Sequence, residues 1–194
     1  MSYREARSLS TLLAEINAAA PRRSKVSDGW IGDAAHASRD SDHNPWRKVG
    51  SLGIVGARDF THDPAGGLDC NRLAAALVPL LGKHPALGSG AYIIWNRRII
   101  STDRLREGWR AYTGSNGHTQ HLHVSVCTAV GGFDSTARWG VLAPPAPAAP
   151  PKPSAPKVTN VSKARELINR ALGNAKRPGR QNRLRDALKS LPKR

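Results

Sequence analysis

His121 and His123 stand two residues apart in HTQHLHVSV, where apolar and small polar side chains alternate around two valines. That is the period-2 pattern of a half-buried strand. Residues two apart on a strand share a face, so both imidazoles aim into one pocket while Leu122 and Val124 turn toward a core. Neutral imidazole is a common zinc ligand, and catalytic zinc usually takes three protein ligands and keeps a fourth position for water. Upstream, SRDSDHNPWRKVGSLGIVGARDFTHDP offers His43 and Asp59. Two histidines and one carboxylate drawn from these residues would complete such a site. Ile54, Val55 and Phe60 predict a short strand with Asp59 projecting from its end, and Gly53 and Gly56 permit close backbone approach. Pro45, Gly50 and Gly53 mark a loop able to fold His43 back over that strand.

Ser-x-His in SDHNP, Gly-x-x-Asp in GARDF and the late His-x-His together resemble the LAS-type zinc peptidases. These include D-Ala-D-Ala carboxypeptidases, murein endopeptidases and phage L-Ala-D-Glu endolysins. The segments SDHNP, ARDFTHDP and HTQHLHVSV look most like lysins of phages that infect actinobacteria, over residues 20 to 130. The resemblance implies that His43, Asp59 and His123 ligate zinc and that His121 assists catalysis beside it. It implies a hedgehog/D-Ala-D-Ala-peptidase-like fold, with a small antiparallel sheet and flanking helices. The expected activity is peptidoglycan hydrolysis at a peptide bond of the stem or cross-link. Zinc acts there as a Lewis acid on the scissile carbonyl and lowers the pKa of water to about 7. His121 would accept the water proton or, if protonated, hydrogen-bond the tetrahedral intermediate. Fifteen residues separate His43 from Asp59, a longer insert than many members carry.

Other polar residues have plainer readings. His36, His62 and His84 match no ligand position and read as solvated or hydrogen-bonded side chains. Asp63, the competitor of Asp59, lies in THDPAGG, where its side chain caps a turn. Asp42 and His118 are candidates to orient the ligating imidazoles, since such rings commonly donate their second nitrogen to an oxygen acceptor. Arg39 and Arg110 flank the two histidine segments and are the candidates for pairing with stem-peptide carboxylates. Trp95, Trp109 and Tyr112 either wall a groove or fill the core.

The mixture of predicted helices and strands around these residues suggests an α+β domain. Residues 3 to 18 carry Leu9, Leu12, Leu13 and Ile16 at helical spacing before Pro21. A second helix is predicted over 70 to 82, started by Asp69 or Cys70 and carrying a Leu73, Leu77, Leu80, Leu81 stripe despite Pro79. AYIIWN and RRIIST predict a hairpin around Asn96-Arg97 that sets two strands beside the His121 strand. Cys70 and Cys127 are the only cysteines and read as buried thiols rather than a disulfide framework.

At 194 residues with 39% apolar content, the chain holds one ordinary domain and an appendage. Its longest apolar stretches, such as LAAALVPLLG, fall short of the roughly 18 residues that span a bilayer, so no transmembrane segment is expected. MSYREARSLSTLL lacks the order of a signal peptide, so synthesis in the host bacterial cytoplasm, with action on the cell wall, is expected. The catalytic domain is assigned to residues 1–140, a Pro/Ala-rich linker to 141–158 and a basic helical tail to 159–194.

Residues 141 to 194 hold 13 Lys and Arg against 2 Asp and Glu, so most of the net charge of +16 lies in the tail. ARELINRAL and RLRDALKSL could pair as a helical hairpin. Such a tail suits anionic wall polymers, which a lysin reading favours, a membrane surface through the Leu167, Ile168, Leu172 and Leu184, Leu188, Leu191 stripes, or nucleic acid; the plain reading is a solvated hairpin kept soluble by its charge. A metal-dependent His-Asn-His nuclease is the rival from another class: it explains the charge and the His-Asn pair of SDHNP, but not the His-x-His strand. A virion-associated wall hydrolase and a structural zinc domain also remain open.

Overall fold

Gly56 divides the run GIVGARDF between two sheets. In the computed structural model, which describes residues 2–32, 39–142, 161–174 and 178–191, β3 (Leu52–Val55) ends just before this glycine and β4 (Ala57–Thr61) begins just after it. The single strand expected from the sequence is therefore two, and Asp59 sits in the middle of β4 rather than at a strand end. Gly56 N donates to Asp42 O at 3.0 Å and its carbonyl accepts from Val126 N at 2.9 Å. A Cβ there would meet the Arg47 guanidinium at 1.9 Å, so the chain changes ladder partners where only glycine leaves room for that side chain.

The smaller sheet has the order β1–β3–β2, with β1 (Tyr3–Glu5) parallel to β3 and β2 (Arg47–Val49) antiparallel to it. The larger sheet is antiparallel, in the order β4–β8–β5–β6–β7. Its other members are β5 (Tyr92–Trp95), β6 (Arg98–Ser101), β7 (Arg110–Ala111) and β8 (His121–Ser125). Asn96 and Arg97 form the two-residue turn of the β5–β6 hairpin, with φ of 47° and 60°. Positive φ at both central residues is the mark of a turn whose twist matches the strands.

The first helix is shorter than its hydrophobic spacing predicts. Residues 3–5 pair with β3, Ala6 N donates to Val55 O at 2.9 Å, and α1 spans Arg7–Ala19. Sheet pairing claims the backbone of the first three residues, while Arg4 forks onto Asp134 and Glu5 pairs with Arg58. Asp69 caps α2 (Cys70–Leu77) by accepting from Asn71 N. The helix expected to reach residue 82 tightens into a 3-10 turn over Val78–Leu80, where Pro79 cannot donate to the α-helical ladder.

Phe60, Ile93, Leu122 and Val124 line one face of the larger sheet and share a core with Leu9, Leu12 and Ile16 of α1 and Leu73 and Leu77 of α2. A short α3 (Val130–Phe133) adds Phe133. Alternation along β4 and β8 puts Asp59, His121 and His123 on the opposite face. Cys70 and Cys127 are buried free thiols, and burial pushes the Cys70 thiol up to about 12.

The chain divides into two compact units, residues 1–145 and 146–194. The expected linker, from residue 143 onward, lies outside the described residues. In the second unit α4 (Val161–Gly173) packs against α5 (Pro178–Ser190). Among the described residues no helix is long and apolar enough to cross a membrane.

Candidate metal centre

Strand register brings the carboxylate to the imidazole. β4 and β8 run antiparallel with Asp59 opposite His123 and Thr61 opposite His121. Directly opposed residues on one face have neighbouring side chains, and Asp59 Oδ1 lies 2.9 Å from His123 Nδ1. His43 enters from the loop before β2, with its Nε2 at 3.2 Å from His123 Nδ1 and 3.4 Å from Asp59 Oδ2. One donor atom from each of the three falls within 4.8 Å of the others. Ligands about 2.0–2.2 Å from a tetrahedral zinc lie roughly 3.3–3.6 Å apart, so the set needs only small adjustments to hold one ion.

Arg47 explains how the long loop delivers His43. Its guanidinium is buried and donates from Nε to Cys127 O at 3.0 Å, from Nη2 to Val126 O at 2.7 Å and from Nη1 to Asp42 Oδ1 at 2.8 Å. The residue before His43 is thus tied to the backbone where the chain leaves β8. Gly32 N donates to His43 O at 3.0 Å, and the Asn44 amide donates to Arg39 O at 2.9 Å.

The second ring nitrogens are also occupied. His43 Nδ1 lies 3.2 Å from Trp30 O, a pure acceptor, which puts the proton on Nδ1 and leaves the Nε2 lone pair facing the cluster. His123 Nε2 meets Ser125 Oγ at 2.9 Å, and the Tyr92 ring stacks on the imidazole with centroids 5.4 Å apart. Both imidazoles are thereby oriented with one nitrogen toward Asp59.

Charge reinforces the geometry. Burial would raise the Asp59 pKa, but hydrogen bonds and charge from His123 and His43 outweigh it and hold the carboxyl far below its usual range. Burial would lower His43, yet its contacts with Asp59 prevail and the pKa is raised. His121, 3.7 Å from Asp59 Oδ2 and 3.4 Å from the Asn116 amide, is lowered chiefly by burial. His118 is lowered to about 4, by burial and then by neighbouring His123.

A cavity of about 220 Å³ opens over the cluster, and its lining includes Arg39, Tyr112, Asn116 and His118 beside the three candidate ligands. His118 is only 7% exposed, and its Nδ1 has no hydrogen-bond partner among the described residues. With Asp59 and His121 it forms a second group able to hold a metal, sharing the Asp59 carboxylate. From sequence His118 reads only as a candidate to orient the ligating imidazoles. It occupies a turn with φ of 48°, where Asn116 Oδ1 accepts from its backbone N–H.

The remaining candidates separate cleanly. Arg39 reaches the cavity, whereas Arg110 lies on β7, three strands from β8, and donates to Ser101 Oγ at 2.9 Å. Asp63 caps its turn by accepting from Ser24 N at 2.7 Å and Gly66 N at 3.0 Å. His62 accepts from Cys70 N, and His84 stacks on Trp139 with centroids 4.2 Å apart. His36 lies outside the described residues. Trp95 belongs to the core, and Tyr112 to the cavity wall.

No protein-family model, curated protein or solved structure matches the chain.

Proposed function

We propose that the protein is a zinc-dependent peptidoglycan hydrolase of the LAS type, a phage-type endolysin that cuts a peptide bond in the stem or cross-link. The observation that carries this reading is the convergence of His43, Asp59 and His123, from a loop and two paired strands, at the floor of an open cavity. These three residues would hold zinc, and the hedgehog/D-Ala-D-Ala-peptidase arrangement is part of the proposal. A zinc ion there supplies Lewis-acid polarisation of a carbonyl and a lowered pKa for water.

The chain's own groups divide the remaining work. Asp59 presents Oδ1 to His123 and Oδ2 to His43, so one carboxylate orients two imidazoles, with His121 3.7 Å away. His121, its pKa lowered chiefly by burial, is favoured in its neutral form and so presents an unprotonated ring nitrogen as a proton acceptor. Arg39 at the cavity is suited to a carboxylate of the stem peptide. Asn44, the partner in the His-Asn pair that suggested a nuclease, donates its amide to Arg39 O and so holds the loop.

The test is a zymogram of the full-length protein on actinobacterial peptidoglycan. Clearing should vanish with EDTA, return on adding zinc and be absent in Asp59→Ala. Equal clearing after chelation would contradict the reading.

A further inference from the structure

We propose that a second zinc ion binds beside the first, held by His118, His121 and the Asp59 carboxylate, and that its binding shuts the centre down. The proposal rests on the zinc-hydrolase reading for the effect on catalysis, and on side-chain geometry for the site itself. One donor atom from each of these three residues lies within 4.8 Å of the other two, and Asp59 belongs also to the group formed with His43 and His123. A carboxylate has two oxygens and can give one to each of two ions. In this chain Oδ1 lies 2.9 Å from His123 Nδ1, while Oδ2 lies 3.7 Å from His121 Nε2. The second separation is close to the roughly 3.3–3.6 Å between neighbouring ligands of a tetrahedral zinc. Two-metal hydrolase centres hold their ions about 3.5–4 Å apart, a span that one shared carboxylate covers.

His118 is the residue that points to a ligand. It is 7% exposed, and its buried Nδ1 has no hydrogen-bond partner among the described residues. A buried polar nitrogen left unpaired is costly, and imidazole is a ready ligand for a cation. The ring stands edge-on to those of His121 and His123, with centroids 5.0 Å and 5.3 Å away. Its turn is fixed by Asn116 Oδ1, which accepts from the His118 backbone N–H. The cavity lining includes both His118 and Asp59, which gives an ion a route from solvent. The consequence for hydrolysis is inhibition. His43, Asp59 and His123 already make a three-ligand set without His121. The second ion takes the His121 lone pair that is otherwise the proton acceptor. It binds more weakly than the first, because it shares Asp59 with another dication and like charges repel.

The experiment is equilibrium dialysis of metal-free, full-length protein against zinc, with the bound metal counted and peptidoglycan hydrolysis followed at each zinc concentration. The unaltered protein should take up two ions in two steps, the second about tenfold or more weaker than the first. Hydrolysis should rise with the first ion and fall about tenfold or more with the second, as loss of a proton acceptor implies. His118→Ala and His118→Gln should each bind one ion, and the hydrolysis each retains should no longer fall as zinc rises. The count in the unaltered protein does not depend on either variant folding. A single ion there, or a second ion kept by both His118 variants, would overturn the proposal. So would hydrolysis that holds steady or rises as the second ion binds. Two ions in the unaltered protein and one in the variants, without hydrolysis at any zinc concentration, would sink the hydrolase reading and leave the second metal site standing. Zinc-dependent hydrolysis with a single bound ion would sink this proposal alone.

Discussion

At Arg47 a single guanidinium spans from the exit of β8 to Asp42, the neighbour of His43. Removing it strands two backbone carbonyls and a carboxylate, and frees the loop that carries His43, a candidate metal ligand. Arg47→Ala is expected to weaken zinc affinity about 10- to 100-fold, as the loss of groups that orient ligands commonly does. Gly56→Ala should act in the same direction, since its Cβ would displace the guanidinium. Chelator competition measures both, and unchanged affinity in Arg47→Ala would remove the anchor from the account. Asp28 makes a second residue-scale test: it pairs with the buried Arg23 at 2.6 Å and accepts from Thr61 N and Oγ1. Burial would raise its pKa, but these partners, Arg23 foremost, hold it lowered. A depressed carboxyl stabilises the fold above its unfolded pKa and loses that contribution as pH falls through the folded value. Asp28→Asn should therefore cost about 3 kcal/mol at pH 7. In denaturant titrations the gap from the parent should narrow below about pH 4. The types of His43, Asp59 and His123 are legible in the sequence because their chemistry is specific. Arg47 is not, because its importance arises from contacts across the fold that local spacing does not encode, and His118 is legible only as a candidate to orient the imidazoles, not as a member of a second group with Asp59 and His121.

Among the elements, the hairpin of AYIIWN and RRIIST was readable because strand alternation and a two-residue turn are local signals. The β1–β3 pair was not, since parallel partners far apart in sequence leave no nearby mark, and the helical spacing of Leu9, Leu12 and Ile16 hides the change at Arg7. The division of GIVGARDF at Gly56 was equally hidden, because one glycine within an apolar run fits a continuous strand until Arg47 claims its space. The Asn96-Arg97 turn gives a test at this scale. Arginine at φ of 60° is strained, and glycine adopts that conformation freely. Arg97→Gly should stabilise the protein by about 1 kcal/mol, seen as a higher melting temperature. A lower one would show that Arg97 side-chain packing near Gly117 outweighs the backbone strain.

For the whole molecule, charge and chemistry fall in different parts of the chain. The histidine and aspartate cluster belongs to residues 1–145, while most of the net charge lies beyond residue 140. An ion bound by His43, Asp59 and His123 would bind the folded state alone, so on the proposed zinc reading zinc at a hundred times its dissociation constant should add about 2.7 kcal/mol of stability. Calorimetry with and without EDTA should show that shift in the parent and lose it in His123→Ala.

Mass spectrometry of muropeptides from purified actinobacterial peptidoglycan tests the account most directly, because it reports both activity and the bond cut. Zinc-loaded protein should generate a new amine and carboxyl terminus at one peptide bond, of the L-Ala to D-Glu, D-Ala to diaminopimelate or terminal D-Ala type. Neither EDTA-treated protein nor Asp59→Ala should produce them. Intact stem peptides after digestion with zinc-loaded protein, or the same cleavage in Asp59→Ala, would contradict it.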